Sequence, residues 1–177
     1  MLISLEGVMS PKSDLDTDAV IMENSQLMTQ FEQALSVSKN AFEQWVVRCG
    51  AAAGMKGYSA LELLVLHKVS GKERPKRIAD ICFSIKIEDT HLVSYALRKL
   101  AKAGYVQSRK QGKETFYSAT PAGGEVIDRY KAVRRKYLIR SLSMLSSSEV
   151  DLEHLASILH ALSGIYEQAA RNVEYSL

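Results

Sequence analysis

Five side chains that can donate or accept hydrogen bonds, Thr90, His91, Ser94, Tyr95 and Arg98, recur at intervals of one to four residues. On an α-helix those intervals gather them on one face. The face carries two hydroxyls, an imidazole, a phenol and a guanidinium, groups suited to base edges and to the phosphates beside them. A few residues on, Arg109, Lys110 and Lys113 cluster in a glycine-containing stretch, 110–114, which reads as a tight turn with Gly112 at its tip. Lys76 and Arg77 precede the whole segment. Cations at a projecting turn are placed to meet phosphates or to enter a minor groove.

No catalytic constellation accompanies them. His67, His91 and the pair His154 and His160 fall on different helices, His91 within the segment itself. His154 and His160 are six apart, whereas a metal shared along one helix face needs a spacing of about three or four. No P-loop, dinucleotide fingerprint or nucleophile elbow occurs. The sequence therefore predicts a binding protein with no cofactor and no metal, not an enzyme.

The elements that must position these groups can be read in turn. Residues 75–83 are patterned as a helix, 84–88 break it, and a second helix spans 89–103. Asp89 is placed to cap the second helix. Val93, Leu97, Leu100 and Ala101 recur at helical spacing and are expected to face a core. Gly104 stops the helix in the left-handed conformation, and two short alternating runs, 105–109 and 115–119, flank the basic turn. Helix, turn, helix and hairpin is the order of a winged helix-turn-helix, whose second helix fits a major groove about 12 Å wide. The fold class expected is mainly α with a small β-hairpin wing.

The resemblance carried by these residues is to the MarR family of bacterial transcription regulators. It rests on Leu97-Arg-Lys-Leu-Ala-Lys-Ala-Gly-Tyr-Val106, the Ser108-Arg109 pair, the wing and Ala119-Thr-Pro-Ala-Gly123, and covers roughly residues 61–142. Two departures stand out: Ser108 replaces the aspartate that usually precedes the wing arginine, and the turn before the second helix is longer than usual. The resemblance implies double-stranded DNA as partner, a homodimer, and a short strand near 70–75 joining the wing. It also implies a small phenolic or lipophilic effector between winged unit and dimer helices, where Trp45, Met55 and Tyr58 could line a pocket or simply pack. The alternative reading is a winged-helix scaffold that binds protein and no DNA.

Either side of the winged unit the chain is amphipathic. Residues 1–18 are mixed and acidic and read as a flexible arm. Residues 19–57 read as an N-terminal dimerisation helix and connector. Ile21, Leu27, Met28, Phe31, Leu35, Phe42, Trp45 and Val46 form its stripe, with a weak stretch at 36–40 for a bend. A helix over 20–49 would be about 45 Å long, and the glycines and alanines of 50–57 suggest the connector. The winged unit, 58–120, opens at Ser59, which caps a helix over 60–69 with Glu62 in capping-box position. His67 on that helix reads as a core or rim residue. The turn at 70–75 puts Pro75 at the first position of the next helix. Residues 121–177 read as C-terminal dimerisation helices: one over 121–145, a break at 146–148 with Ser148 as a cap, and one from 149. Arg129, Lys131, Arg134, Arg135, Lys136 and Arg140 on the first suit either a solvated face or accessory phosphate contact. Surplus apolar stripes at both ends, including Phe31, Leu155, Leu159, Leu162 and Tyr166, point to a two-fold dimer.

Composition agrees with this division of labour. The 177 residues carry a net charge of only +3. Residues 68–140, however, hold 18 Lys and Arg against 7 Asp and Glu, an excess of +11. The remainder holds 5 against 13, or −8. Positive charge concentrated on the winged unit is the footprint of a polyanion binder. No run approaches the roughly 20 apolar residues that span a bilayer, and no signal-peptide pattern is present, so a cytoplasmic protein without membrane attachment is expected. Cys49 and Cys82 lack metal-ligand spacing; buried structural thiols are expected, with oxidant sensing, implied by some relatives, as the alternative.

Overall fold

A computed structural model describes residues 14–71, 74–141 and 151–176. The elements run α1 (Asp14–Ala52), α2 (Ala60–Val69), α3 (Ile78–Ile85), α4 (Thr90–Lys102), β1 (Val106–Gln111), β2 (Glu114–Ala119), α5 (Pro121–Arg134), a π-helical continuation at Arg135–Ile139, and α6 (Leu152–Glu174). The expected class, mainly helical with one β-hairpin, is the class observed.

Helix α1 starts earlier and ends later than its stripe predicts. It begins at Asp14, inside the expected arm; the remainder of that arm, 1–13, lies outside the described residues. The helix passes 36–40 without interruption and includes Gly50. That glycine acts as a packing device and not as a breaker, since a Cβ there would overlap the Leu63 side chain. The connector is therefore shorter than expected, 53–59, with Gly54 and Gly57 in the left-handed region at φ 100° and 87°. At 39 residues the helix is about 58 Å long.

The core lies around α2. That helix is apolar on nearly every side and packs against α1, α3, α4, α5 and β2. Leu63, Val65 and Leu66 meet Ile81 of α3, Val93, Leu97 and Leu100 of α4, Val106 of β1 and Val126 of α5 in one cluster. As expected, Ser59 caps α2 and forms a reciprocal box with Glu62: the Glu62 amide donates to Ser59 Oγ at 3.2 Å and the Ser59 amide to Glu62 Oε2 at 2.8 Å.

Three local expectations require correction. Pro75 is not the first residue of α3: Arg77 is the N-cap and Ile78 the first helical residue. Pro75 instead precedes an isolated antiparallel bridge between Lys76 and Tyr117, a single residue pair just past the stretch where a short strand was expected. On α4 the buried set is Val93, Ala96, Leu97 and Leu100, with Ala101 exposed. Ala96 lies one residue before Leu97 and completes the stripe at spacings of three and four, whereas Ala101 falls past its edge. The hairpin strands also extend further than expected, pairing Val106 with Ala119 through Gln111 with Glu114. Only Gly112 and Lys113 form the turn, with Gly112 at φ 62°, so Lys110 is a strand residue.

The ends behave similarly. Asp151, rather than Ser148, caps α6, its Oδ1 accepting from the amides of Glu153 and His154 at 2.9 and 3.1 Å. Ser148 and the break at 146–148 lie outside the described residues, as does the end of the helix expected to reach 145. No described helix is long and apolar enough to cross a membrane.

Candidate nucleic-acid interface

Four devices fix the helix that carries the candidate contacts. Asp89 Oδ1 accepts from the His91 amide at 2.8 Å and starts α4 at Thr90. Lys86, left-handed at φ 54°, closes α3 by donating its amide to Cys82, which turns the chain toward α4. Gly104, at φ 79°, ends α4 and lets the Tyr105 amide return to Leu100 O at 3.0 Å. Thr120 then ties hairpin to α5: its hydroxyl donates to Gly104 O at 2.6 Å and accepts from the Gly123 amide at 3.1 Å. A Cβ at Gly123 would overlap Tyr105 O, so this junction requires glycine.

Burial of Val93, Ala96, Leu97 and Leu100 turns the other face of α4 outward. Thr90, His91 and Arg98 are exposed, Tyr95 is 62% exposed and Ser94 half-buried. The structure thus brings the five sequence-derived residues together on one accessible surface. Leu92, 50% exposed on the same helix, was not singled out by polarity; an apolar group there suits a thymine methyl.

Lys99 has a different role from its neighbours. Its Nζ donates to Glu62 Oε2 at 2.8 Å and to Gly57 O at 3.2 Å, and lies 4.7 Å from the Tyr58 ring centroid. The hydrogen bond to Glu62 raises its pKa. Glu62 is only 5% exposed, so this carboxylate depends on Lys99 for its counter-charge. The pair joins α4 to α2 and to the connector that leads from α1.

In the wing, Arg109, Lys110 and Lys113 are all exposed. Arg109 pairs across the hairpin with Phe116 and Lys110 with Thr115, so these two cations leave opposite faces of the hairpin. Lys113 sits at the tip. Arg77 is engaged on three sides: Nε and Nη2 donate to Asp80 at 3.0 and 2.9 Å, and Nη1 donates to Glu114 at 2.7 Å. The Arg77 guanidinium holds the Asp80 carboxyl down at about 2. Asp80 and Glu114 were not foreseen as partners, although Asp80 lies at the capping-box spacing from Arg77.

The remaining expected residues fall in the core or at the ends. Met55 is 1% exposed in the core; Trp45 and Tyr58 pack against it, Tyr58 edge-on to Tyr105 with centroids 6.1 Å apart. Of the α5 cations, Arg129 donates to Ala53 O at 2.9 Å and closes the end of α1. Cys49 and Cys82 are free and buried, and burial raises both thiol pKa values. His67 stacks edge-on to Tyr130 at 4.5 Å, and burial, with Arg134 and Lys131 behind it, lowers its pKa to about 4. Phe31 and Leu162 are half-buried, while Leu155, Leu159 and Tyr166 are exposed. Tyr166 donates to Glu32 at 3.0 Å and Glu167 pairs with Lys86 at 2.6 Å, so α6 touches α1 and the end of α3. Among the described residues no group of three or more His, Cys, Asp or Glu side chains is arranged for a metal.

Residues 59–123 match the family of the winged helix DNA-binding domain. The fold is similar to that of a MarR family transcription regulator at 17% identity, covering 86% of this chain and 98% of that one with a TM-score of 0.63. It is similar to Staphylococcus aureus MarR, solved in complex with salicylate and kanamycin, at 13% identity, 84% and 96% coverage and a TM-score of 0.59. It is also similar to Streptococcus pneumoniae FabT, solved in complex with DNA, at 15% identity, 82% and 98% coverage and a TM-score of 0.55. No curated protein sequence matches this one. The chain thus shares the fold of these transcription regulators, with residues 59–123 matching a winged helix DNA-binding domain.

Proposed function

We propose that the protein is a sequence-specific, double-stranded DNA-binding transcription regulator of the MarR type, acting as a homodimer. The observation that carries this reading is the outward face of α4, five hydrogen-bonding side chains opposite a fully buried stripe, beside a wing bearing three exposed cations. Ser94 and Tyr95 read base edges, and Arg98, one turn on, contacts a guanine or a phosphate. Thr90 and His91, in the first turn, hold the backbone, where helix amides also favour phosphate. Arg109 or Lys110, together with Lys113, meets phosphate or the minor groove, and Lys76 flanks them. The complex of FabT with DNA supports this use of the fold.

Dimerisation follows from the exposed apolar residues of α1 and α6, including Leu27, Phe42, Leu155 and Ile165. A two-fold pair sets two α4 helices about 34 Å apart, so the operator is pseudo-palindromic. The salicylate of S. aureus MarR supports a small-molecule effector. A groove of ≈ 810 Å³ between α1, α3 and α6, lined by Lys39, Phe83, Lys86, Ile87 and Tyr166, offers it more space than the packed Trp45, Met55 and Tyr58.

Selection of bound sequences from random double-stranded DNA, followed by a salt titration on the winner, tests the reading. The expected result is an enriched inverted repeat whose affinity falls steeply with salt, as released counterions require. No enriched motif and no salt-dependent retention would favour the protein-binding scaffold instead.

A further inference from the structure

We infer that Arg77 is a positioning residue for the wing, clamped between Asp80 of α3 and Glu114 of β2, and not itself a phosphate ligand. The inference rests on the proposed use of the wing on DNA. Three of its side-chain nitrogens are already committed to carboxylate oxygens at 2.7–3.0 Å. The Arg77 amide donates to Asp80 Oδ2 at 3.0 Å as well, so backbone and guanidinium are held by the same carboxylate. Isolated exposed ion pairs contribute little, but a forked guanidinium shared between two carboxylates is the geometry in which they count.

What the clamp joins gives it a function. Asp80 lies in the first turn of α3, and Glu114 is the first residue of β2, directly after the Gly112-Lys113 tip. The neighbouring bridge, with the Lys76 amide donating to Tyr117 O at 2.9 Å and the Tyr117 amide to Lys76 O at 2.8 Å, anchors only the middle of the hairpin. Glu114 is three residues further out, where a two-stranded ribbon is otherwise free to swing. Ser108 stands where the resembled family has an aspartate before the wing arginine. The Arg77–Glu114 contact ties the wing from the opposite strand.

The two roles for Arg77 predict opposite signs at Glu114. If only charge near the phosphates matters, Glu114→Ala removes a repelling carboxylate and tightens binding. If Glu114 anchors the wing through Arg77, the same change weakens binding and lowers the salt slope, because Arg109 and Lys113 lose their fixed position. Binding of wild type, Arg77→Lys, Glu114→Ala and the double variant is measured on the selected operator across a salt series. Hydrogen exchange of the 108–117 amides is followed on the same DNA-free proteins. The expected result is a loss of about three- to fivefold for each single variant, of the size an ion-pair network supplies, with no further loss in the double variant. Faster exchange near the tip should accompany it in all three. Tighter or unchanged binding for Glu114→Ala, or unaltered tip exchange, overturns the inference. Absence of salt-dependent binding by the wild type would instead count against the DNA reading, while exchange in the free protein still decides the clamp.

Discussion

The winged unit and the terminal helices are built from similar amounts of apolar side chain and use them oppositely. In α2 and α4, Leu63 and Leu100 expose nothing, and Glu62, the one buried charged residue among the described residues, has its counter-ion in Lys99. In α6 no residue is buried, Leu152 is 57% and Ile165 62% exposed, and from residue 24 to 44 nothing in α1 is buried either. The same α1 becomes packed a few residues later, at Val46 and Cys49. A stripe is therefore not a core until something covers it. The winged unit covers its own, while the ends leave theirs exposed.

Four experiments test that contrast, in order of decreasing effect. Removal of residues 149–177 should yield insoluble or unfolded protein, because the stripe of α1 would lose its cover. Full-length protein should scatter light as about 40 kDa, twice the 19.7 kDa chain; a monomeric mass at micromolar concentration would remove the contrast. Leu100→Ala should cost about 2–5 kcal/mol through the cavity it leaves, with a denaturation shift that does not depend on protein concentration. Leu159→Ala should cost less and depend on concentration, since it acts on association. Lys99→Ala should lower the thermal midpoint more than Lys102→Ala, for only Lys99 neutralises a buried carboxylate; equal midpoints would deny it that role.

The smallest effect concerns pH. His67 titrates near 4 in the fold against 6.5 when unfolded, chiefly through burial. Between those values the unfolded chain binds a proton that the folded one does not. Stability from this source is therefore complete above about pH 6.5, falls as pH drops, and levels off below about 4. His67→Phe should flatten that limb in denaturant titrations, and an unchanged pH profile would show that His67 does not titrate as its surroundings require.

Much of this was legible from residue types. Asp89, Gly104 and the Ser59–Glu62 box sit at helix ends whose chemistry is local, and each marked the boundary it was expected to mark. The outward set on α4 followed from spacing alone. Several misplacements share a cause: contacts made far along the chain. Gly50 looked like a break because Leu63, its packing partner, is invisible locally. Ala96 and Ala101 are of the same residue type, distinguished only by the direction of the core. Lys99 reaches Gly57 and Glu62, Arg129 reaches Ala53, and Arg77 reaches Glu114. Long cations read as surface charge until their carbonyl and carboxylate partners are in view.

The claim that the outer face of α4 reads sequence is tested most directly by binding of Arg98→Ala and Tyr95→Ala to the selected operator and to random DNA at one salt concentration. A good base contact discriminates by about 1–3 kcal/mol. Each variant should therefore lose roughly tenfold or more on the operator and far less on random DNA. Equal losses on both would make these residues backbone anchors, and no loss on either would contradict the assignment of α4 as the reading helix.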